Sequence, residues 1–232
     1  MHQERPDGPD RRAEGIHLNM RNRNTRQRIR RSGAGFSVIE TVIAMTIIVT
    51  VAAIALVQLS PNLQTARADN AMRMVLAQFR QAREYSIDNR RYVQIAFSTA
   101  SGKAQIVITQ KNTLTPGGGA TDAVMSTIYL PLPQQYTLTS GIPDTPDGFG
   151  NGSAMTFKIE GTGVAPTGSM YFQSDGELID SVTNSPIDGT IFLGGGDKSS
   201  ARAVTVMGST GRIRGWRAVA GGTTPTTSWV QF

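Results

Sequence analysis

The hydrophobic pattern divides the chain into four stretches. Residues 1–35 are polar and show no apolar period, which predicts a leader without regular structure. Residues 36–60 are almost continuously apolar, and residues 61–90 continue as an amphipathic stretch. From 91 to 232 the apolar period changes to two, and glycine and proline interrupt it often. This last stretch therefore predicts a domain of short strands and turns.

The apolar run predicts a membrane-spanning helix. Residues 36–59 would reach about 36 Å at about 1.5 Å per residue, which is enough to cross a bilayer core. An ordinary secretory signal carries its small residues after the apolar core. Here Gly33, Ala34 and Gly35 come before it. We therefore expect a single retained span, followed by a domain outside the cytoplasm.

Beyond the span, the pattern predicts that the same helix continues to Asn89. Pro61 should kink or weaken it locally. One helical face is apolar and predicts packing against the domain. That face comprises Met72, Val75, Leu76, Phe79 and Ala82, while the arginines at 67, 73, 80 and 83 lie mostly away from it.

The remainder of the chain predicts an α+β protein, with a long N-terminal helix packed on a β-rich globular domain at 91–232. Ser101 and Gly102 mark a turn between the first two strands. Loops are predicted at 115–121, 141–152 and 161–168. The segments that favour strands are 93–97, 106–108, 126–131, 154–160, 169–173, 190–194, 202–207, 211–218 and 227–231.

The charge is concentrated before the apolar run. The 232 residues carry a net charge of +6, but residues 1–35 alone hold nine arginines against four acids. Positive charge beside a span keeps that end in the cytoplasm. The remaining residues hold fourteen basic against thirteen acidic side chains, a net charge of +1. A second possible start at Met20 would leave a shorter leader that is still basic.

The composition argues against an enzyme. The chain has no cysteine, and both histidines, His2 and His17, lie in the leader. A Ser-His-Asp or Cys-His site therefore cannot form in the domain, and the glycine runs lack the lysine of a P-loop. Asp175, Glu177 and Asp180 could be considered for calcium, but their spacing fits no EF-hand loop and favours a turn. We expect no cofactor and no catalytic residue.

The start of the apolar run carries the most specific motif. The segment Gly35-Phe36-Ser37-Val38-Ile39-Glu40 resembles the prepilin cleavage signal of type IV pilins and type II secretion pseudopilins, with Ser37 and Val38 in place of the commonest Thr and Leu. The resemblance implies that a prepilin peptidase cuts after Gly35 and methylates the new amine of Phe36. It also implies that Glu40 contacts such an amine, its own or a neighbour's, during filament assembly.

Glu40 also raises a physical question on its own. A carboxylate inside a membrane span costs about 2.5–3.5 kcal/mol on insertion scales, so it needs a partner or a role. An amine at Phe36 would supply the opposite charge close by, and the pairing offsets desolvation. The alternative is an incidental acid near a helix end that reaches the membrane interface.

The C-terminal half is similar to the GspH/FimT group of minor pseudopilins and pilins. The similarity covers roughly 35–217 and lies in the segment Gln81-Ala82-Arg83, a turn at 172–176, apolar strands at 191–193 and 203–207, and a basic segment at 211–214. It implies a type IV pilin-like fold and a structural role in protein secretion. The implied partners are other pilins or pseudopilins, the prepilin peptidase and an assembly platform in the bacterial inner membrane.

The segment Gly211-Arg212-Ile213-Arg214 supports a second interpretation. In FimT-like minor pilins such a GRxR motif is associated with DNA binding in natural transformation. Arg212 and Arg214 lie on one face of a strand and could both reach phosphates, with Arg202 and Arg217 adding to the patch. We favour a solvated basic face instead, because DNA binding usually needs several phosphate contacts. For Trp216 and Trp229 we favour packing over base stacking.

Overall fold

The computed structural model describes residues 37–111, 122–220 and 227–232. It shows an α+β protein with one long helix and antiparallel sheets. The predicted leader at 1–35 and the loop at 115–121 lie outside the described residues. The chain divides into two units, 1–48 and 49–232, to both of which the helix contributes.

Among the described residues, helix α1 comes first and the strands follow it. Their bounds are α1 Val38–Asn89, β1 Val93–Ala100, β2 Lys103–Gln110, β3 Ala123–Tyr129, β4 Gln135–Tyr136, β5 Met155–Ile159, β6 Met170–Phe172, β7 Leu178–Asp180, β8 Ile187–Gly194, β9 Arg202–Met207, β10 Arg212–Ala220 and β11 Thr227–Gln231.

Helix α1 confirms the prediction that the apolar span continues as one helix to Asn89. It runs without interruption through Pro61 and ends at Asn89, where Arg90 adopts a left-handed conformation with φ of 49°. The amide of Arg91 then bonds the carbonyl of Ser86, which closes the last turn. One stretch of α1, Val38–Ala55, is long and apolar enough to cross a membrane, and its side chains are exposed.

Two antiparallel sheets form the β-rich part of the second unit. The first has the strand order β3-β2-β1-β6-β7, and the second has the order β11-β10-β9-β8-β4, with β5 also paired to β8. The hairpin between β1 and β2 turns at Ser101 and Gly102, both with positive φ, as a two-residue turn of this kind requires. The predicted loops at 141–152 and 161–168 contain no strand.

The core lies between the amphipathic part of α1 and both sheets. All five predicted apolar positions of the helix face are buried there. Phe79 packs against Phe97 of β1 and Phe172 of β6, with ring centroids 5.6 and 6.2 Å apart. Gly215 of β10 faces the same helix, and a Cβ atom there would lie 2.9 Å from the Leu76 side chain. Glycine at 215 therefore allows α1 to approach the second sheet closely.

Candidate functional site

The start of α1 holds the acid that the sequence singles out. Gly35 and Phe36 lie outside the described residues, so the cleavage junction itself stays a prediction. The Ser37 carbonyl accepts bonds from the Thr41 amide (3.1 Å) and hydroxyl (3.0 Å), which makes Ser37 the residue before the first turn. Glu40 is the third helical residue and is exposed.

Ser37 and Glu40 occupy the N-cap and third helical positions, a spacing that sequence reasoning missed. Ser followed three residues later by Glu is the capping-box pattern of helix starts. A carboxylate in the first turn is also favoured by the positive end of the helix dipole. An amine at Phe36 would sit at that same positive end, where it is disfavoured unless an acid accompanies it. The pairing of such an amine with Glu40 stays a prediction.

Two threonine hydroxyls of the span, those of Thr41 and Thr46, bond backbone carbonyls one turn earlier. The Thr46 hydroxyl donates to the carbonyls of Val42 (3.0 Å) and Ile43 (2.8 Å). Lipid offers no hydrogen-bonding partners, so this internal bonding removes the cost of burying these hydroxyls. The rest of the segment presents apolar side chains on every side, which suits contact with lipid or with other apolar helices.

The two arginines of the basic segment lie on the outer face of the second sheet, beside a loop carboxylate. Asp147 is almost buried and accepts a bond from Arg214 Nη1 at 2.9 Å, while Arg212 Nη2 lies 3.7 Å from it. The same carboxylate accepts bonds from the Thr205 hydroxyl (2.5 Å) and the Trp216 indole (3.3 Å). The prediction that the two arginines share one face is therefore confirmed, and both form an ion pair with Asp147.

The two arginines expected to extend that patch do not do so. Arg202 and Arg217 are paired across β9 and β10 on the opposite face, toward α1. Arg202 is fully buried, and its Nε donates to Asp69 of α1 at 2.6 Å; Arg217 pairs with the other oxygen of Asp69. Burial lowers the pKa of the Arg202 guanidinium, and Asp69 opposes that shift. The prediction that Arg202 joins an exposed basic surface is wrong, because Asp69 draws it inward.

The two tryptophans pack as expected. Trp216 is buried and donates to the Thr205 hydroxyl at 2.9 Å. Trp229 packs on Phe192 with ring centroids 6.1 Å apart, and its indole donates to the Pro143 carbonyl at 3.0 Å. Both indole N–H groups are therefore satisfied by protein atoms, which favours a packing role.

Three of the segments singled out in the sequence meet at Arg83. This side chain was expected to lie away from the packed face, but it is half-buried. Its Nε donates to the Gly176 carbonyl at 3.2 Å and its Nη2 to the Thr210 carbonyl at 3.3 Å. Arg83 thus joins α1 to the turn before β7 and to the turn before β10. Sequence reasoning missed this junction, whose members are far apart in the chain.

Gly211 makes the junction possible. Its φ is 60°, and a Cβ atom there would overlap both the Gly176 carbonyl oxygen and the Arg83 side chain. We expect Gly211→Ala to lower the free energy of unfolding by about 2–4 kcal/mol, since backbone strain and overlap add. Urea unfolding of the detergent-solubilised protein, followed by tryptophan fluorescence, measures this loss.

A matched glycine separates the two causes. Gly102 has a φ of 73°, but open space surrounds its Cβ position. Gly102→Ala should therefore cost only the backbone strain, about 1 kcal/mol. If both substitutions lower the free energy of unfolding equally, the overlap at Gly211 contributes nothing to the loss.

Asp180 joins the loop before β6 to the turn after β7. It is fully buried and accepts bonds from the Gly168 amide (2.6 Å) and from the Thr183 amide and hydroxyl (both 3.0 Å). Burial by itself would raise the pKa of Asp180, but these hydrogen bonds outweigh it and lower the pKa. Within the described part of the chain, no group of three metal-ligating side chains is arranged to hold an ion.

The lowered pKa predicts how stability depends on pH. A carboxylate with a depressed folded-state pKa stabilises the fold above its unfolded-state pKa, and that stabilisation is lost as the pH falls through the folded-state value. The unfolding free energies of wild type and Asp180→Asn should differ by a constant amount near neutral pH. The difference should shrink below the ordinary pKa of 3.8. A difference that grows on acidification would contradict this assignment.

Comparison of the chain with models of protein families, with curated proteins and with solved structures gives no match.

Proposed function

We propose that this chain is a minor pilin or pseudopilin subunit with a type IV pilin-like fold and a structural rather than catalytic role. A prepilin peptidase of the bacterial inner membrane cuts it after Gly35. Its N-terminal helix then packs into the filament of a type II secretion system or a type IV pilus. The β-rich domain lies on the periplasmic side, where it meets other subunits. The assembly platform in the inner membrane is the remaining partner.

One observation carries this proposal. The exposed apolar helix begins with a single acid, Glu40, directly after a basic leader and a glycine, and it continues into a helix packed on antiparallel sheets. A plain membrane anchor explains the apolar length but neither the acid in its first turn nor the cleavable pattern before it. An anchored domain that never polymerises is the simplest competing function.

Coexpression with a prepilin peptidase tests the proposal. Wild-type precursor should shorten by its leader on an immunoblot, whereas Gly35→Leu should stay at full length, because the peptidase needs a small residue before the scissile bond. A precursor that remains intact beside a peptidase shown to process a known pilin would overturn the proposal.

DNA binding by a FimT-like minor pilin is the second candidate function. The observation in its favour is that Arg212 and Arg214 share one face, with 43% and 32% of their side chains exposed. A mobility-shift assay with the full-length protein in detergent tests it. Salt-sensitive binding that is lost in the double variant Arg212→Ala, Arg214→Ala would support it, and the absence of binding at low salt would remove it.

A further inference from the structure

The loop at 141–152 ends in the one place where the sequence has an asparagine followed by a glycine, Asn151-Gly152. Both residues are exposed, and a Cβ atom at Gly152 would meet open space. Among the described residues, no hydrogen bond holds the Gly152 amide. Glycine has no side chain to hinder its backbone, so this amide nitrogen is able to approach the carboxamide of Asn151.

The Asn151 side chain closes the loop. Its Nδ2 donates to the Ile142 carbonyl at 3.3 Å, so this bond joins the two ends of the loop. A second bond crosses the loop beside it, from the Gly150 amide to the Asp144 carboxylate at 2.8 Å. The bond made by Asn151 is longer than the usual distance of about 2.9–3.0 Å, so it restrains the side chain only weakly. The carboxamide is therefore able to turn toward Gly152.

We propose that Asn151 is a site of spontaneous deamidation and that its conversion opens the 141–152 loop. The Gly152 amide nitrogen attacks Cγ of Asn151 and forms a cyclic imide, while the bond between Cγ and Nδ2 breaks. The proton of the Gly152 amide leaves with Nδ2 as part of ammonia. Water then opens the imide at one or the other of its carbonyl carbons, which gives aspartate or isoaspartate. The reaction consumes one water molecule and involves no oxidation or reduction.

The product does not fit the loop as it stands. A carboxylate only accepts hydrogen bonds, so an aspartate in place of Asn151 sets an acceptor against the Ile142 carbonyl. Isoaspartate also lengthens the backbone by one methylene group, because the chain then runs through the side-chain carboxyl carbon. The same loop carries Asp147, which pairs with Arg212 and Arg214. Opening the loop therefore loosens the carboxylate that neutralises the basic segment.

Two related positions among the described residues are less suited to this reaction. Asn184 is also exposed, but Ser185 follows it, and the Ser185 amide donates to the Thr183 hydroxyl at 3.4 Å. Asp147 precedes Gly148, but its carboxylate is almost buried and the Gly148 amide bonds a carbonyl within the loop at 2.9 Å. Asn184 thus provides an exposed internal control in the same molecule.

Peptide mapping by mass spectrometry tests the site in the full-length protein, incubated in detergent at mildly alkaline pH. Asn151 should lose its amide at least about tenfold faster than Asn184, and Gly152→Ala should slow this loss about tenfold, because a side chain hinders the attacking nitrogen. The added Cβ meets open space, so the variant should melt like wild type by circular dichroism. A free peptide of residues 147–155, incubated in parallel, shows that the conditions allow the reaction.

Two results would overturn the site. One is an Asn151 amide that survives in the protein while the free peptide is converted. The other is a rate of loss at Asn151 that does not exceed the rate at Asn184 or does not change in Gly152→Ala.

Hydrogen exchange of Asn151→Asp tests the opening of the loop. The Gly148 and Gly150 amides, which are bonded within the loop, should exchange about tenfold faster than in wild type. Amides of the hairpin between β1 and β2 are the control and should keep their wild-type rates. Unchanged exchange at both glycines would show that the Asn151 bond does not hold the loop closed. Neither experiment depends on cleavage after Gly35, so the filament role is tested separately.

Discussion

Asp69→Ala is expected to lower the free energy of unfolding by about 3–5 kcal/mol, because it leaves two guanidinium groups facing α1 without their carboxylate. Arg202 is fully buried and depends on Asp69 for its Nε bond, although the carbonyls of Ser199 and Ala201 accept from its Nη1. Urea unfolding of the solubilised protein reports the loss through Trp216, which is buried.

A second ion pair provides the matched control. Lys111 and Asp122 form a pair that is more open to solvent, since Asp122 has 32% of its side chain exposed against 17% for Asp69. Asp122→Ala should cost less than about 1 kcal/mol. If the two substitutions destabilise the protein equally, the Asp69 cluster does not hold α1 to the second sheet.

Glu40→Ala is expected to leave membrane insertion and cleavage intact but to reduce incorporation into filaments at least tenfold. The helix keeps its apolar surface, and removing the acid makes insertion easier. The substitution removes the attraction between the Glu40 carboxylate and an amine in a low-dielectric setting. A loss of about 1.4 kcal/mol in association free energy already lowers the association constant tenfold. Quantitative immunoblotting of sheared filaments against the membrane fraction measures the ratio.

Thr41→Ala is the control for this experiment. It removes a neighbouring hydroxyl that, among the described residues, bonds the Ser37 carbonyl, so assembly should proceed nearly as in wild type. Glu40→Gln keeps the size and capping capacity of the side chain without its charge. Normal assembly of Glu40→Gln would show that helix capping, rather than charge pairing, is what Glu40 provides.

Local patterns in the sequence predict most of the fold. The helix face, the hairpin turn at Ser101 and Gly102, and most strands follow from periods that need only neighbouring residues. Two strands escaped prediction, β4 with two residues and β7 with three. Segments this short cannot display an alternating period, and the pairing of β4 with β8 also depends on a partner distant in the chain.

The arrangement around the arginines could not be predicted from local patterns. Asp69 meets residues 133 and 148 positions away, and Asp147 meets one 67 positions away. From the sequence, Arg202 and Arg217 read as additions to a basic stretch without nearby acids. Only the packing of α1 and of the 141–152 loop on opposite faces of the second sheet brings the carboxylates to them.

The most direct measurement is intact-mass spectrometry of the protein purified from membranes or filaments of its native host. We predict a chain that begins at Phe36 and carries one methyl group on its amine, so that a cation lies beside the acid of the first helical turn. A native chain that retains residues before Phe36, with the bond after Gly35 uncut, would contradict it.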